Sequence, residues 1–208
     1  MKKRIVFSVF LISLLAAGVV GAAGDPKPGA DGRILAKATF AGGCFWCMEE
    51  ALDKVGGVVS TTSGYTGGRT ANPSYEDVSA GETGHAEAVE ILYDPAKVTY
   101  AKILDTFWRN IDPTVPDRQF CDHGSQYRSA IFYHDETQKR LAEESKKALG
   151  KSKPFKEMIR TEIAAASAFY PAEEYHQNFY EKNPLWYRLY KYNCGRALRL
   201  QELWGKKE

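Results

Sequence analysis

Gly42-Gly43-Cys44-Phe45-Trp46-Cys47 joins a strand-like run to a helix-like one and carries two thiols three positions apart. Ile34 to Ala41 reads as a strand, and after it Phe45, Met48, Leu52 and Val55 recur at helical spacing. That order puts Cys44 at a helix N-terminus, where free N–H groups and the helix dipole favour an anion. The expectation is a thiol of lowered pKa and a nucleophilic thiolate near neutral pH. Free cysteines are among the most buried residues, but a glycine pair between strand and helix is an awkward place to bury one. The Cys-Phe-Trp-Cys spacing also suits redox chemistry better than a scaffold bridge.

Three further segments set polar or phenolic groups beside glycines at element boundaries, where sites are commonly built. They are Ser63-Gly64-Tyr65-Thr66-Gly67-Gly68, Gly84-His85-Ala86-Glu87 and Asp122-His123-Gly124-Ser125-Gln126-Tyr127-Arg128-Ser129. Taken singly, each is explained by turns and packed tyrosines.

The elements that must position these groups follow from periodicity. Strands are expected over 34–41, 58–65, 85–94, 127–133 and 158–166, and helices over 44–55, after Thr99 and after Asp135. A polar loop fills 69–84, a longer one 111–126, and the aromatic remainder from Phe169 to Trp204 is helical or irregular. The order β-α-β-β-α-β implies an α+β fold. Its form is a two-layer ferredoxin-like plait: a mixed sheet with helices over one face and an irregular C-terminal tail.

The N-terminus carries Lys2-Lys3-Arg4, an apolar run from Ile5 to Val20 and small residues Gly21-Ala22-Ala23, the pattern of a secretory signal peptide. The run is short for a bilayer span, which needs about 20 apolar residues. Residues 1–23 are expected to be removed, 24–33 to be a flexible linker, and 34–208 to form a single domain in the bacterial periplasm or cell envelope. Without Lys2, Lys3 and Arg4, 25 basic side chains stand against 26 acidic ones, which gives no reason to expect nucleic acid or an anionic membrane as partner. Four cysteines in an exported chain suggest structural disulfides, although a domain of this size has no need of them.

Gly-Gly-Cys-Phe-Trp, Gly-Tyr-Thr-Gly-Gly, Gly-His-Ala-Glu-Ala-Val, Asp-His-Gly-Ser-Gln-Tyr-Arg-Ser-Ala-Ile and Phe-Tyr-Pro-Ala-Glu-Glu-Tyr-His-Gln occur in this order from about Thr39 to Trp204. Together they resemble the peptide methionine sulfoxide reductases of the A type. The resemblance implies reduction of methionine S-sulfoxide, free or in oxidised proteins, by a monomer without metal or organic cofactor. It matches Cys44 to the nucleophile, Phe45 and Trp46 to the walls that receive the S-methyl group, and Tyr65 and Tyr127 to phenols that bond the sulfoxide oxygen. Asp77 stands where the family more often has a glutamate as proton donor, with Glu76 and Glu87 as alternatives. Asp122 and His176 match residues around the pocket, which Tyr187 also lines. A second thiol must resolve the sulfenic acid left on Cys44, and an external dithiol, such as a thioredoxin-like protein, must then reduce the disulfide. Cys194 in the glycine-flanked tail is the first choice for that thiol, Cys47 the second and Cys121 the third. No second domain for the opposite epimer is expected.

Two other classes compete. A thioredoxin-like thiol–disulfide oxidoreductase would also place its motif between strand and helix, but leaves Tyr65, Asp77 and Tyr127 without a task. A zinc module of Cys44, Cys47, Cys121 and His123 has acceptable ligand types but a tight Cys121–His123 spacing.

Overall fold

The computed structural model describes residues 27–28 and 34–205. The expected signal peptide at 1–23, and most of the expected linker, lie outside the described residues. In chain order the elements are β1 (Lys27–Pro28), β2 (Ile34–Gly42), α1 (Phe45–Asp53), β3 (Val58–Thr66), α2 (Tyr75–Ser79), β4 (Ala86–Tyr93), α3 (Tyr100–Trp108), β5 (Arg118–Gln119), β6 (Asp122–His123), β7 (Ser129–Tyr133), α4 (Glu136–Ser152), β8 (Glu162–Ala165), β9 (Tyr170–Pro171), α5 (Phe179–Lys182), α6 (Pro184–Asn193) and α7 (Arg196–Trp204).

The main sheet runs β8-β7-β2-β4-β3-β9, with β1 on the edge of β2. Its four central strands are antiparallel in the order of a ferredoxin-like plait, and the parallel β7–β8 pair makes the sheet mixed. Alternation along the strands sorts side chains between two faces. Ala38, Phe40, Val89, Ile91, Tyr93 and Ile131 join Phe45, Met48 and Leu52 of α1 and Ile103, Leu104 and Phe107 of α3 in one apolar cluster. The other face holds small residues, Ala41, Ala86, Ala88 and Ala130, with Phe132, and is covered by Ala164, Ala166 and Phe169.

Three expectations need correction. The 69–84 loop contains the short helix α2, started by a capping box in which Ser74 and Asp77 bond each other's backbone N–H. The fifth strand is shorter than expected, because only Glu162–Ala165 finds a partner, in β7. The C-terminal tail is not irregular: α5, α6 and α7 form three helices that fold back onto α1. Tyr180 Oη donates to Asp53 at 2.5 Å, and the Asn178 N–H to Glu49 at 3.0 Å.

The β2–α1 turn depends on Gly43. Its φ is +81°, and a Cβ there would meet Gln119 Cβ at 2.4 Å. Gly43→Ala therefore combines a left-handed backbone with overpacking, and is expected to cost about 2–4 kcal/mol of unfolding free energy in urea titration. A loss below about 0.5 kcal/mol would show that the turn tolerates a side chain.

Candidate active site

Cys44 occupies the N-cap of α1 at φ −48°, ψ 119°, and its carbonyl accepts from the N–H groups of Cys47 and Met48. The residue is buried. The helix N-terminus is where the sequence predicts it, but its first N–H is already used: Phe45 N donates to Glu87 Oε2 at 3.0 Å. Burial, the hydrogen bond with Cys47 and the negative charges of Cys47 and Glu87 push the Cys44 thiol well above its ordinary range. The expected lowering of the Cys44 pKa is thus overturned by desolvation. Its hydrogen-bond partner Cys47 moves the other way, drawn down to about 6 by the bond from Cys44 and, against burial, by Arg196, Tyr187 and Lys191.

Glu87, on β4, is buried beneath the start of α1 beside this pair. Burial lifts its carboxyl to about 8, against the Phe45 N–H and with help from the charges on Asp122 and Cys47. It is therefore an acid that keeps its proton near neutral pH. Asp77 has the opposite character. Fully exposed, it accepts from Ser74 N at 2.9 Å and Ser74 Oγ at 2.8 Å, which hold its carboxyl below the usual range. The structure engages Asp77 in capping α2, away from the thiols, and leaves Glu87 as the buried carboxyl beside them.

The aromatic residues surround the pair. Trp46 stacks on Phe179 at 3.8 Å, and its indole N–H donates to His176 Nδ1 at 3.2 Å. Accepting at Nδ1 leaves the proton of the neutral ring on Nε2, and burial holds His176 in that neutral form. Phe45 lies 5.0 Å from His176 and 6.0 Å from Tyr65. Tyr65 Oη donates to Glu173 at 2.8 Å, and the other Glu173 oxygen accepts from Tyr75 N at 2.8 Å. Tyr127 shares the site: burial and the charges on Glu87, Asp122 and Cys44 all favour its neutral phenol. Asp122 accepts from Tyr190 Oη at 2.6 Å. Tyr187 donates to Glu50 at 2.5 Å.

Cys194 is not poised against Cys44. Its sulfur is bonded to Cys121, Cα to Cα 4.8 Å, which ties the β5–β6 turn to the α6–α7 junction. Cys47, one turn along α1 from Cys44, is free. The same bond removes the zinc set, since Cys121 cannot be a thiolate ligand while bonded to Cys194.

Sequence reasoning missed Glu173, Tyr75, Phe179, Tyr190 and Arg196 as site neighbours. Tyr187, Tyr190 and Cys194 fall at helical spacing along one face of α6, a signal that was legible.

Glu87 yields a pH test. Between about 4.5 and about 8 its carboxyl is ionised in the unfolded chain and neutral in the folded one, so ionisation favours unfolding as pH rises. Glu87→Gln removes that cost. Its stability relative to the parent should be level below the window, climb through it, and plateau above it a few kcal/mol higher. A difference that does not vary with pH would show that Glu87 is ionised in the folded chain.

Comparison with known proteins follows the same direction. A family model described as peptide methionine sulfoxide reductase matches residues 36–208. The chain is 53% identical over 170 residues to the peptide methionine sulfoxide reductase MsrA of Bacillus licheniformis, covering 82% of this chain and 94% of that one. Among solved structures it is similar to reduced Mxr1 from Saccharomyces cerevisiae, at TM-score 0.69 and 33% identity, over 73% of this chain and 87% of Mxr1. Mxr1 in complex with Trx2 shares the fold at TM-score 0.50 and 24% identity, over 70% and 84% of the two chains.

Proposed function

The chain belongs to the peptide methionine sulfoxide reductase family, and from that membership we propose a route by which its residues reduce methionine S-sulfoxide, free or in oxidised proteins. The chain is a thiol-dependent oxidoreductase. The observation that carries the route is the free, buried Cys44–Cys47 pair at the start of α1 set against the buried Glu87 carboxyl, which bonds the Phe45 N–H there.

A sulfoxide sulfur becomes electrophilic when its oxygen accepts a proton or a strong hydrogen bond. Glu87 supplies the proton. Tyr127 is the phenol that turns to the oxygen, because Tyr65 already donates to Glu173. The substrate methyl packs against Phe45 and Trp46, where a thioether suits aromatic surfaces. Cys47 thiolate takes the Cys44 proton as Cys44 sulfur attacks. Methionine leaves, and the oxygen stays on Cys44 as a sulfenic acid. Cys47 then attacks the Cys44 sulfur and expels water, which takes up its second hydrogen from the Cys47 thiol. The site ends as a Cys44–Cys47 disulfide with Glu87 ionised, so hydrogen and charge balance. An external dithiol protein of the thioredoxin type reduces the disulfide.

We extend the proposal to export from the cytoplasm, on the basic, apolar and small-residue order of residues 2–23. The Cys121–Cys194 bond supports that reading, since such bonds persist in oxidising compartments.

Mixing the thiol-reduced pair, with the Cys121–Cys194 bond intact, with excess methionine S-sulfoxide should release one methionine per chain and map a Cys44–Cys47 disulfide. Cys44→Ser should release none. Cys47→Ser, which loses both the base and the resolving thiol, should release methionine more slowly than the parent and stop at a sulfenic acid that dimedone traps. Glu87→Gln should slow the step about 10²–10³-fold, and Asp77→Asn by less than about threefold. Full rate in Glu87→Gln with loss in Asp77→Asn would return the acid to Asp77.

A further inference from the structure

Two adjoining cavities of about 710 Å³ and about 640 Å³ lie beside α1, and Asn110 and Lys191 line both. Glu50, Ala51 and Lys54 line the first and Cys47 the second, so the four share one stripe of the helix and its cap at helical spacing. Phe45 and Trp46, which receive the sulfoxide methyl in the route above, line neither. The groove therefore reaches the thiol pair from the Cys47 side, on a different face of α1 from the aromatic pocket.

Its charge is one-sided. Lys54, Lys97, Lys102 and Lys191 line the first cavity, and Lys191, Arg109 and Arg196 the second. Two carboxylates answer these six cations, and each is divided between two of them. Glu50 pairs with Lys54 at 2.6 Å and with Lys191, and Asp105 with Lys102 at 3.6 Å and Arg109 at 4.0 Å. Among the described residues Lys97 and Arg196 enter no ion pair, and Arg196 spends its hydrogen bonds on the neutral Asn110 O, Gly42 O and Met48 Sδ. Beyond Arg4 the chain has 25 basic side chains against 26 acidic ones, so this near-neutral molecule concentrates an excess of positive charge along one groove. A cleft lined by one sign of charge draws in the opposite sign and raises the rate at which it arrives.

We propose that this groove is the approach for the electron donor, which meets it with an acidic polypeptide segment beside its dithiol. The proposal rests on the Cys44–Cys47 disulfide of the route above. A donor thiolate attacks the Cys47 sulfur from the groove, the Cys44–Cys47 bond breaks, and Cys44 leaves as a thiolate that takes up the proton the donor thiol gave up. The donor's second thiol then attacks the donor sulfur of the mixed disulfide and transfers its proton to the departing Cys47. Two electrons and two protons pass from the donor dithiol to the pair, and the donor ends as a disulfide. Substrate and donor thus use different faces of α1 and need not compete for one mouth.

The test starts from the protein with Cys44–Cys47 oxidised by diamide and the Cys121–Cys194 bond intact. It is mixed with a synthetic peptide of one cysteine followed by four glutamates, or with the counterpart carrying four glutamines. Mass mapping of Cys44 and Cys47 follows reduction, and each rate is divided by that of the same peptide on a small uncharged disulfide. The glutamate peptide should be about tenfold faster at about 20 mM salt and lose that advantage at about 0.5 M. Lys97→Glu combined with Lys102→Glu, at two exposed positions, should abolish the advantage and leave the glutamine peptide within about twofold of its parent rate. Lys147→Glu, on α4 outside the groove, should change neither rate. Equal rates for the two peptides, an advantage that survives the double substitution, or an equal loss in Lys147→Glu overturns the proposal. Diamide prepares the disulfide whether or not a sulfoxide does. Loss of the peptide preference alongside normal methionine release therefore removes the groove and keeps the reductase route, and the reverse result removes the route and keeps the groove as the acidic thiol's approach.

Discussion

Glu87 and the Cys44–Cys47 pair share one site from which water is largely excluded, and each resists the other's negative charge. Charge on Cys47 raises the Glu87 carboxyl, and charge on Glu87 raises the Cys44 thiol. Only one of them can be ionised at little cost, and the surrounding structure decides which. The Phe45 N–H gives Glu87 a single donor, too little to offset its burial. The dithiol has the stronger support, from Arg196, Lys191 and Tyr187. The ferredoxin-like plait serves this division: β4 brings the acid up beneath α1, and the tail brings cations to the far side of the same helix.

Much of this was legible in the chain, because it is written in neighbouring residues. The glycine pair, the thiol and the apolar spacing of α1 are local signals, and the alternation of β2, β4 and β7 follows the same logic. Even the exchange of Asp77 for Glu87 had local signs. Ser74 three positions before Asp77 is the signature of a cap, and Glu87 shares its strand face with Val89, Ile91 and Tyr93, which point into the core.

The tail was less legible, for a physical reason. Its aromatic and basic residues find partners more than a hundred positions away, as Tyr187 with Glu50, Trp46 with His176 and Arg196 with Gly42. No periodicity within the tail encodes such partners. Likewise, the pairing of Cys121 with Cys194 over Cys44 with Cys194 depends on where the β5–β6 turn sits, and β5 and β6 are only two residues each.

The Cys121–Cys194 bond closes a ring with a sequence separation of 73 residues, which contains β6, β7, α4, β8, β9, α5 and α6. Cys44, Cys47 and Glu87 lie outside that ring, while Asp122, Tyr187 and Tyr190 lie within it. In the chain-entropy picture a closed loop of this size removes about 4 kcal/mol worth of disorder from the unfolded state. That stabilisation is borrowed from the surroundings, because it exists only where the bond stays oxidised. The same amino-acid sequence would thus unfold more readily in a reducing compartment than in an oxidising one, with no change to any residue of its aromatic roof or of the site beneath it.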